Sequence, residues 1–376
     1  MRVALNLVFL VPGETGGMET YARELLPRLA GQPDLDVVCL INREAAEAQS
    51  GPWYDLPHEV VPVHARSRAA WVRGEQLHVP RMAAALGVDL IHSLASTAPL
   101  RGSVPRVTTI HDLNYLLVPE AHFGLRGLGM RVLVPQAARR SQRIIVDASC
   151  TRDDLHERLR IDPEKVDVIP LAAPASPAGM RPTDAPELRA RLGLGERPVV
   201  LCPGARRPHK NAVAVLEALA LLDPAERPVA VVTGYATPYE EELRTRAAAL
   251  GVAADLVLPD WLPAADLEGL YALAAVVAVP SRYEGFGLPV LEAMLRGVPV
   301  VISNRASLPE VAGNAALRVD PDDYRALAQA LRTVLNDPAE AQRLSAAGRE
   351  RAAAFSWERT AELTAASYRR ALGLLA

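Results

Sequence analysis

The feature that most constrains the fold is an alternation of short β-branched runs with Ala/Leu/Arg-rich stretches along the whole chain. This pattern is typical of a parallel sheet covered by helices on both faces. Strands are predicted near Val3–Leu7, Val37–Ile41, Val60–Val63, Leu90–His92, Val107–Ile110, Ile144–Val146 and Val166–Ile169, then near Val199–Cys202, Val229–Thr233, Leu256–Leu258, Ala275–Val279 and Val298–Ile302. Helices are predicted after His209, Pro238, Pro263 and Pro289, and through most of the tail from Asp322 onward.

A chain of 376 residues is too long for one ordinary core, so we expect two α/β domains. The stretch Leu171–Glu187 holds four prolines and little periodicity, which predicts a linker. The predicted architecture is two doubly wound, Rossmann-like domains (residues 1–171 and 172–355) facing across a cleft, with a last helix over 356–376. Open α/β sheets bind ligands at the carboxyl ends of their strands, which is where we look for a site.

Composition excludes several classes of protein. The formal net charge of −3 argues against a nucleic-acid binder. Cys39, Cys150 and Cys202 are widely spaced and show no metal-binding pattern. The N-terminal apolar stretch lacks a signal-peptide cleavage site, and no run of eighteen apolar residues is present. We therefore expect a cytoplasmic protein.

The segment Val279–Met294 carries the most chemical information. A strand ends at Pro280, a loop with Gly285 and Gly287 follows, and Pro289 opens a helix. The N–H groups of Phe286, Gly287 and Leu288, together with the helix dipole, would form an anion site. Glu284 lies in the loop, and Glu292 follows on the first helical turn among apolar neighbours, where a carboxylate needs a partner.

Each of these features alone also fits a structural role, because a Glu near a helix N-terminus stabilises the helix and a glycine loop can be only a turn. The combination closely resembles the E-x7-E signature of glycosyltransferase family 4. The resemblance continues through Gly297–Val301 and Leu308–Val311. It implies the two-domain GT-B fold, with Glu292 holding the donor ribose, Glu284 contacting the transferred sugar, and the loop amides meeting the sugar and phosphates.

A second matching stretch, Pro203–Asn211, directly follows a strand. A leaving nucleoside diphosphate gathers negative charge, and without a metal ion fixed cations must stabilise it. Lys210 offers a point charge, and Arg206 or Arg207 a guanidinium fork. Solvated surface charges are the alternative. The commonest family pattern has Arg directly after the glycine, where this chain has Ala205, so the choice between the two arginines is open.

The N-terminal half offers two further candidates. The loop Gly13–Glu19, with Gly16, Gly17 and Glu19, follows the first strand and could cradle phosphate or line an acceptor pocket, or be only a turn. His111 and Asp112 follow another strand. Residues alone leave a structural role for His111 equally open, and the resemblance implies an active-site residue that contacts the donor sugar. In the family, transfer on one face of the sugar implies that the leaving phosphate itself deprotonates the acceptor.

The resemblance covers nearly the whole chain, including Trp71 with Glu75-Gln76, His92-Ser93, Pro170 and Phe355–Trp357 before the last helix. It implies that this last helix crosses back and packs on the N-terminal domain. It implies base recognition near Gly234 and Trp261-Leu262. Within the family the chain is most similar to bacterial mannosyl- or rhamnosyltransferases of polysaccharide assembly. The expected co-substrate is therefore GDP-mannose or another nucleoside-diphosphate hexose, and the expected acceptor a glycan or polyprenyl-phosphate-linked glycan.

No cofactor and no metal are expected. Asp34-Leu35-Asp36 and Asp320-Pro321-Asp322 have the Asp-x-Asp form of metal-dependent glycosyltransferases, but a turn and a helix cap explain them better. The stretch Ala121–Arg143 has no acidic residue and several arginines between Arg126 and Arg143. A solvated helix face is the favoured interpretation, and a peripheral contact with anionic lipid at the inner face of the plasma membrane is the other.

Three functions remain open on the sequence. The first is a retaining, metal-independent hexosyltransferase. The second is a GT-B nucleotide-sugar epimerase, which needs further acid/base carboxylates that we cannot identify. The third is a non-catalytic nucleotide-sugar-binding module, which only Ala205 motivates.

Overall fold

The computed structural model describes residues 1–118, 125–174, 176 and 179–375, with only the backbone for 125–128. Its contacts divide the chain into two compact units, an N-terminal unit of Met1–Ala172 with Ser356–Ala376 and a C-terminal unit of Ala173–Phe355. Residues 175, 177 and 178 of the predicted linker lie outside the described residues. The end of that linker is instead the start of a helix at Ala185.

The N-terminal unit is a parallel sheet with helices between its strands. The strands are β1 (Arg2–Leu7), β2 (Asp36–Ile41), β3 (His58–Val60), β4 (Leu90–Ser93), β5 (Arg106–Thr109), β6 (Arg143–Val146) and β7 (Val166–Val168). The helices are α1 (Gly17–Ala30), α2 (Arg43–Glu47), α3 (Pro52–Asp55), α4 (Arg68–Arg73), α5 (Val79–Ala85), α6 (Asn114–Leu117), α7 (Leu125–Arg140) and α8 (Ser149–Leu159). A π-helical turn, Gly74–His78, joins α4 to α5.

The C-terminal unit repeats the same layered construction. Its strands are β8 (Val199–Cys202), β9 (Val229–Val232), β10 (Leu256–Val257), β11 (Ala274–Val279), β12 (Val300–Ser303) and β13 (Leu317–Val319). Its helices are α9 (Ala185–Leu192), α10 (Ala212–Ala220), α11 (Tyr239–Ala249), α12 (Ala264–Leu273), α13 (Leu288–Leu295), α14 (Leu308–Ala312), α15 (Tyr324–Asn336) and α16 (Pro338–Ala353). The last helix, α17 (Trp357–Ala371), belongs to the N-terminal unit.

Both sheets reverse their strand order once. The order is β3-β2-β1-β4-β5-β6-β7 in the N-terminal unit and β10-β9-β8-β11-β12-β13 in the C-terminal unit. All pairings between these strands are parallel. The reversal lies between β1 and β4 in the first sheet and between β8 and β11 in the second. The predicted doubly wound α/β fold class is confirmed, and each reversal opens a crevice at the carboxyl edge.

Prolines account for most differences between predicted and observed strands. β3 ends at Val60 and does not extend to Val63, because Pro62 has no N–H to continue a ladder. β12 begins at Val300, just after Pro299. The short strand β13 was not predicted, since three residues carry too little periodicity.

The core of the N-terminal unit contains a hydrogen-bonded histidine. His92 on β4 is fully buried, and its Nδ1 lies 2.6 Å from the Tyr368 hydroxyl of α17. Its Nε2 lies 2.8 Å from Oγ1 of Thr109. Thr360 of α17 also donates to the Pro170 carbonyl at 2.7 Å. The last helix is therefore tied to the sheet by polar contacts as well as by its apolar face.

Replacing His92 by Gln should reduce the acid sensitivity of the fold. Burial, and then the nearby His111, lower the pKa of His92 to about 3. The unfolded chain takes up this proton near pH ~6.5, so each pH unit below that costs the folded state about 1.4 kcal/mol until about pH 3. Between about pH 7 and pH 5, calorimetry should show the wild-type Tm falling more steeply than that of His92→Gln. The partly buried His156 gives the control substitution, His156→Gln, and parallel curves for wild type and His92→Gln would refute the assignment.

Candidate functional site

The loop between β11 and α13 is held by contacts to its carbonyl oxygens. Oγ of Ser307 lies 2.9 Å from the Glu284 carbonyl and 2.7 Å from that of Phe286. Gly287 has a φ of 105°, and a Cβ there would lie 2.8 Å from Leu308 Cδ2. Within the described part of the chain, the N–H groups of Phe286, Gly287 and Leu288 have no hydrogen-bond acceptor. These N–H groups at the helix N-terminus are the ones of the predicted anion site, which stays a prediction.

Lys210 and Glu284 form an ion pair across the strand-order reversal of the C-terminal sheet. The Lys210 ammonium lies 2.7 Å from each carboxylate oxygen of Glu284, and Ser281 donates to one of them at 2.7 Å. Burial pushes the pKa of Glu284 upward, but Lys210, Ser281 and His209 outweigh it and hold that pKa below its usual value. Two predicted site residues from loops 74 positions apart are therefore brought together, and the Glu284 carboxylate keeps its charge.

Glu292 lies on the second turn of α13, because the helix begins at Leu288 and not at Pro289 as predicted. The Tyr271 hydroxyl donates to its carboxylate at 2.7 Å. The Arg296 guanidinium covers the Tyr271 ring at 4.9 Å and pairs with Glu268. Burial raises the pKa of Glu292 above its usual value, against the Tyr271 hydrogen bond and the Arg296 charge. The partner that the Glu292 carboxylate was predicted to need is the Tyr271 hydroxyl, which the sequence interpretation missed.

The structure contradicts the predicted phosphate contact of Arg206. Its guanidinium is buried, pairs with Glu240 at 2.5 Å, and donates to the carbonyls of Val232 and Pro259. These partners satisfy the fork inside the unit, so it is not available to a ligand. Arg207 is partly exposed and its Nη2 lies 2.5 Å from the Tyr235 hydroxyl. Of the two arginines, only Arg207 faces the solvent side of the loop.

Gly234 lets two loops touch. A Cβ on Gly234, whose φ is 98°, would lie 2.2 Å from the Gly204 carbonyl oxygen. The Gly204 N–H in turn donates to Oγ1 of Thr233 at 3.3 Å. Trp261, in the loop after β10, is 67% exposed, and Leu262 is partly buried. The predicted base-binding residues thus lie at the carboxyl ends of β9 and β10, next to one another in the sheet.

In the N-terminal unit, the predicted glycine loop is closed by its own side chains. Glu19 accepts from the Gly13 N–H at 2.7 Å and from Arg23 at 2.9 Å. Gly16 precedes α1 with a φ of 60°, and Gly17 is the first residue of α1. Substituted Cβ atoms at both glycines would meet no atom within 4 Å. The loop therefore leaves open space above it, while the Glu19 carboxylate is engaged within it.

His111 and Asp112 follow β5, at the carboxyl edge of the N-terminal sheet. Nδ1 of His111 lies 2.7 Å from Oδ2 of Asp147, and Nε2 lies 2.9 Å from the Leu94 carbonyl oxygen. Asp112 accepts from the Asn114 N–H at 3.0 Å at the start of α6, so it has the turn-capping contact. Asp147 was missed by the sequence interpretation. Its signal was available, since it directly follows β6, the neighbour of β5.

The aspartates of both Asp-x-Asp sequences form ion pairs with arginines. Asp34 pairs with Arg369, Asp36 with Arg2, Asp320 with Arg305 and Asp322 with Arg282. The cap of α15 is Asp323, which accepts from the Ala326 N–H, and not the Asp320–Asp322 segment as predicted. Over the described residues, no group of three or more His, Cys, Asp or Glu side chains has the arrangement of a metal site.

Some arginines of the predicted Arg-rich stretch make contacts within the fold. Arg139 of α7 donates to the Leu159 carbonyl, and Arg143, which lies on β6, pairs with Asp167 at 2.5 Å. Arg131 and Val132 are exposed. The side chain of Arg126 lies outside the described residues. Among the helices of the described residues, none is long and apolar enough to cross a membrane. The contact with anionic lipid stays a prediction.

Comparison with known proteins gives the same two-part division. Residues 15–174 match a family model described as Glycosyltransferase Family 4, and residues 184–351 match one described as Glycosyl transferases group 1. The chain is 31% identical to the O-antigen chain mannosyltransferase B of Escherichia coli, over 70% of each chain. It is 30% identical to a D-inositol 3-phosphate glycosyltransferase of Acidothermus cellulolyticus, over 99% of this chain and 90% of that relative.

Solved structures share the fold at low sequence identity. A sucrose-phosphate synthase from Thermosynechococcus elongatus has a TM-score of 0.73 at 23% identity and covers 98% of both chains. Anabaena HepE, solved in complex with UDP and glucose, has a TM-score of 0.75 at 21% identity, covering 98% of this chain and 99% of that one.

The Gly234 contact predicts a large stability loss in Gly234→Ala. A methyl group there meets backbone atoms of Gly204, so a loop must move in addition to the strain of about 1–3 kcal/mol for a non-glycine residue at positive φ. Gly251→Ala is the matched control, because Gly251 has a φ of 69° with no atom near its absent Cβ. Thermal denaturation should show a clearly larger Tm loss for Gly234→Ala. Equal losses would mean that the loop contact is not tight.

Proposed function

This chain belongs to glycosyltransferase family 4, and we propose that it transfers a hexosyl group from a nucleoside-diphosphate sugar without a metal ion and with retention of configuration. The acceptor we propose is a glycan or lipid-linked glycan of the cell envelope. GDP-mannose is the first candidate donor, because a mannosyltransferase of O-antigen chains is among the relatives.

The observation that carries this proposal is the Lys210–Glu284 pair beside the N-terminus of α13. It sets a fixed cation, a carboxylate and three N–H groups that have no acceptor among the described residues at one sheet edge. A sugar presents hydroxyls to a carboxylate, and a diphosphate presents anionic oxygens to cations and N–H groups. In this proposal the cation, the carboxylate and the N–H groups that contact the donor are all groups of the protein.

We assign the nucleotide contacts to the surrounding loops. Glu292 accepts from the ribose hydroxyls, while Arg207 joins Lys210 on the diphosphate. The loops with Gly234 and with Trp261-Leu262 receive the base. In the N-terminal unit we assign His111 to the transfer reaction, Gly16 and Gly17 to the donor, and Glu19 with Asp112 to the acceptor.

The proposed reaction balances without an external base. The acceptor oxygen forms a bond to the anomeric carbon on the face from which the leaving phosphate departs. The bond between the anomeric carbon and the oxygen of that phosphate breaks. The acceptor proton passes to the leaving phosphate. Lys210, Arg207 and the α13 N–H groups stabilise the charge that collects on the diphosphate, which lowers the barrier selectively in the transition state.

A thermal-shift screen of GDP, UDP, ADP and dTDP sugars, each with and without EDTA, tests the proposed donor site. We expect one nucleotide to raise the Tm by several degrees regardless of EDTA, and Glu292→Gln to abolish the rise. The burial-raised pKa of Glu292 further predicts weaker donor binding as the pH falls toward it, since the protonated group accepts less well. A shift that requires a divalent cation would overturn the metal-free proposal.

Removing Lys210 should separate its structural from its chemical role. Lys210→Met leaves Glu284 buried without a cation, which should cost about 3 kcal/mol of unfolding free energy and about 100-fold or more in kcat. The double variant Lys210→Met/Glu284→Gln removes the unpaired charge and should regain most of the Tm. Its kcat should stay low. Recovery of activity in the double variant would show that Lys210 acts only through stability.

The two arginines should respond in opposite ways. Arg207→Gln should raise the donor KM about tenfold with little change in Tm, because one phosphate contact is lost from an exposed position. Arg206→Gln should lower the Tm by several degrees and leave the KM of the folded protein near wild type, since its contacts are internal. The reverse pattern, measured by steady-state kinetics and calorimetry, would return the phosphate contact to Arg206.

A further inference from the structure

Three adjacent strands of the N-terminal unit converge on one imidazole. The Leu94 carbonyl follows β4, His111 follows β5, and Asp147 follows β6. The ring nitrogens of His111 lie 2.9 Å from that carbonyl oxygen and 2.7 Å from the carboxylate. Tyr21 of α1 packs edge-on against the ring at 4.9 Å, with an interplanar angle of 85°.

Both partners of the ring can only accept a hydrogen bond. A backbone carbonyl has no proton to give, so Nε2 of His111 must carry hydrogen. Imidazole is a stronger base than a carboxylate, so the proton shared between Nδ1 and Asp147 resides on the ring. The hydrogen-bond geometry therefore requires a doubly protonated, positively charged His111.

The electrostatic surroundings favour the same state. Within the described residues, the ionisable groups facing the ring are the carboxylates of Asp147 and Asp112, the neutral His92 and the Tyr21 hydroxyl, which lies 3.2 Å from Oγ1 of Thr109. Burial alone would lower the pKa of His111, but the charge and hydrogen bond of Asp147, then Asp112 and the Leu94 carbonyl, raise it above its usual value.

We propose that Asp147 is a positioning residue that keeps His111 doubly protonated, so that His111 serves as a fixed cation and not as a general base. This inference rests on the proposed glycosyl transfer. Asp147 is 2% exposed, and its Oδ1 has no hydrogen-bond partner among the described residues. The buried carboxylate therefore interacts with the His111 ring through Oδ2. A buried carboxylate of this kind stabilises a neighbouring cation more strongly than a solvated one.

Nitrogen NMR of histidine-labelled protein tests the protonation state directly. His111→Gln identifies the His111 signals among the eight histidines. In the wild type, both ring nitrogens of His111 should carry protons at about pH 7, where an unperturbed imidazole is mostly neutral. In Asp147→Asn the His111 pKa should fall by roughly one to three units, the usual effect of removing a nearby opposite charge. A wild-type ring with one bare nitrogen at that pH, or an unchanged titration in Asp147→Asn, would overturn the proposal.

The pH profile of kcat tests the role in transfer. If the charged ring is the working form, activity declines as the pH rises through the His111 pKa, and Asp147→Asn should move that decline to lower pH by the same one to three units. Asp147→Glu keeps the carboxylate and should restore a profile near wild type. Asp153→Asn, an exposed carboxylate on α8, is the matched control and should change nothing. A lower kcat with an unmoved profile in Asp147→Asn would reduce Asp147 to a packing residue.

The two proposals fail in different ways. If the wild type transfers no sugar from any donor, the proposed function is wrong, and the NMR titration alone then decides whether Asp147 holds His111 as a cation.

Discussion

Parallel strand pairing is the constraint on which the candidate site residues of each unit depend. Every loop that follows a strand in a parallel sheet emerges at the same edge, and the reversal of strand order separates two neighbouring loops into a crevice. In the C-terminal unit the loops after β8 and β11 flank this reversal and meet through Lys210 and Glu284. Residues 74 positions apart in the chain become a bidentate ion pair only because of this topology.

The two units manage buried charge in the same manner. Glu284 keeps its charge inside the fold because Lys210 and Ser281 satisfy it, and His111 is held as a cation because Asp147 and the Leu94 carbonyl accept from it. Fixed charges and N–H groups need no reorganisation when a reaction moves charge. In the proposed reaction, the fixed charges of the C-terminal unit stabilise the leaving diphosphate.

Most of the fold was accessible from sequence. Apolar β-branched runs located the strands, and glycines with a following proline located the start of α13, because these are local signals. Arg206 was misassigned because its direction depends on non-local partners, namely Glu240 on α11 and two carbonyls from other loops. Tyr271 was missed for the same reason, since its partner lies 21 positions away. The partner of Asp147 lies 36 positions away, and only its place directly after β6 could have pointed to it.

The most direct test of the central claim, metal-free transfer with retention, is proton NMR of freshly formed product. The reaction would use GDP-α-mannose, or whichever α-linked donor the nucleotide screen selects, in the presence of EDTA. Retention predicts that the first product carries an α-glycosidic anomeric signal and that its rate of formation is unchanged by the chelator. A β-anomeric first product, or a reaction that stops on chelation and resumes with a divalent ion, would contradict the mechanism.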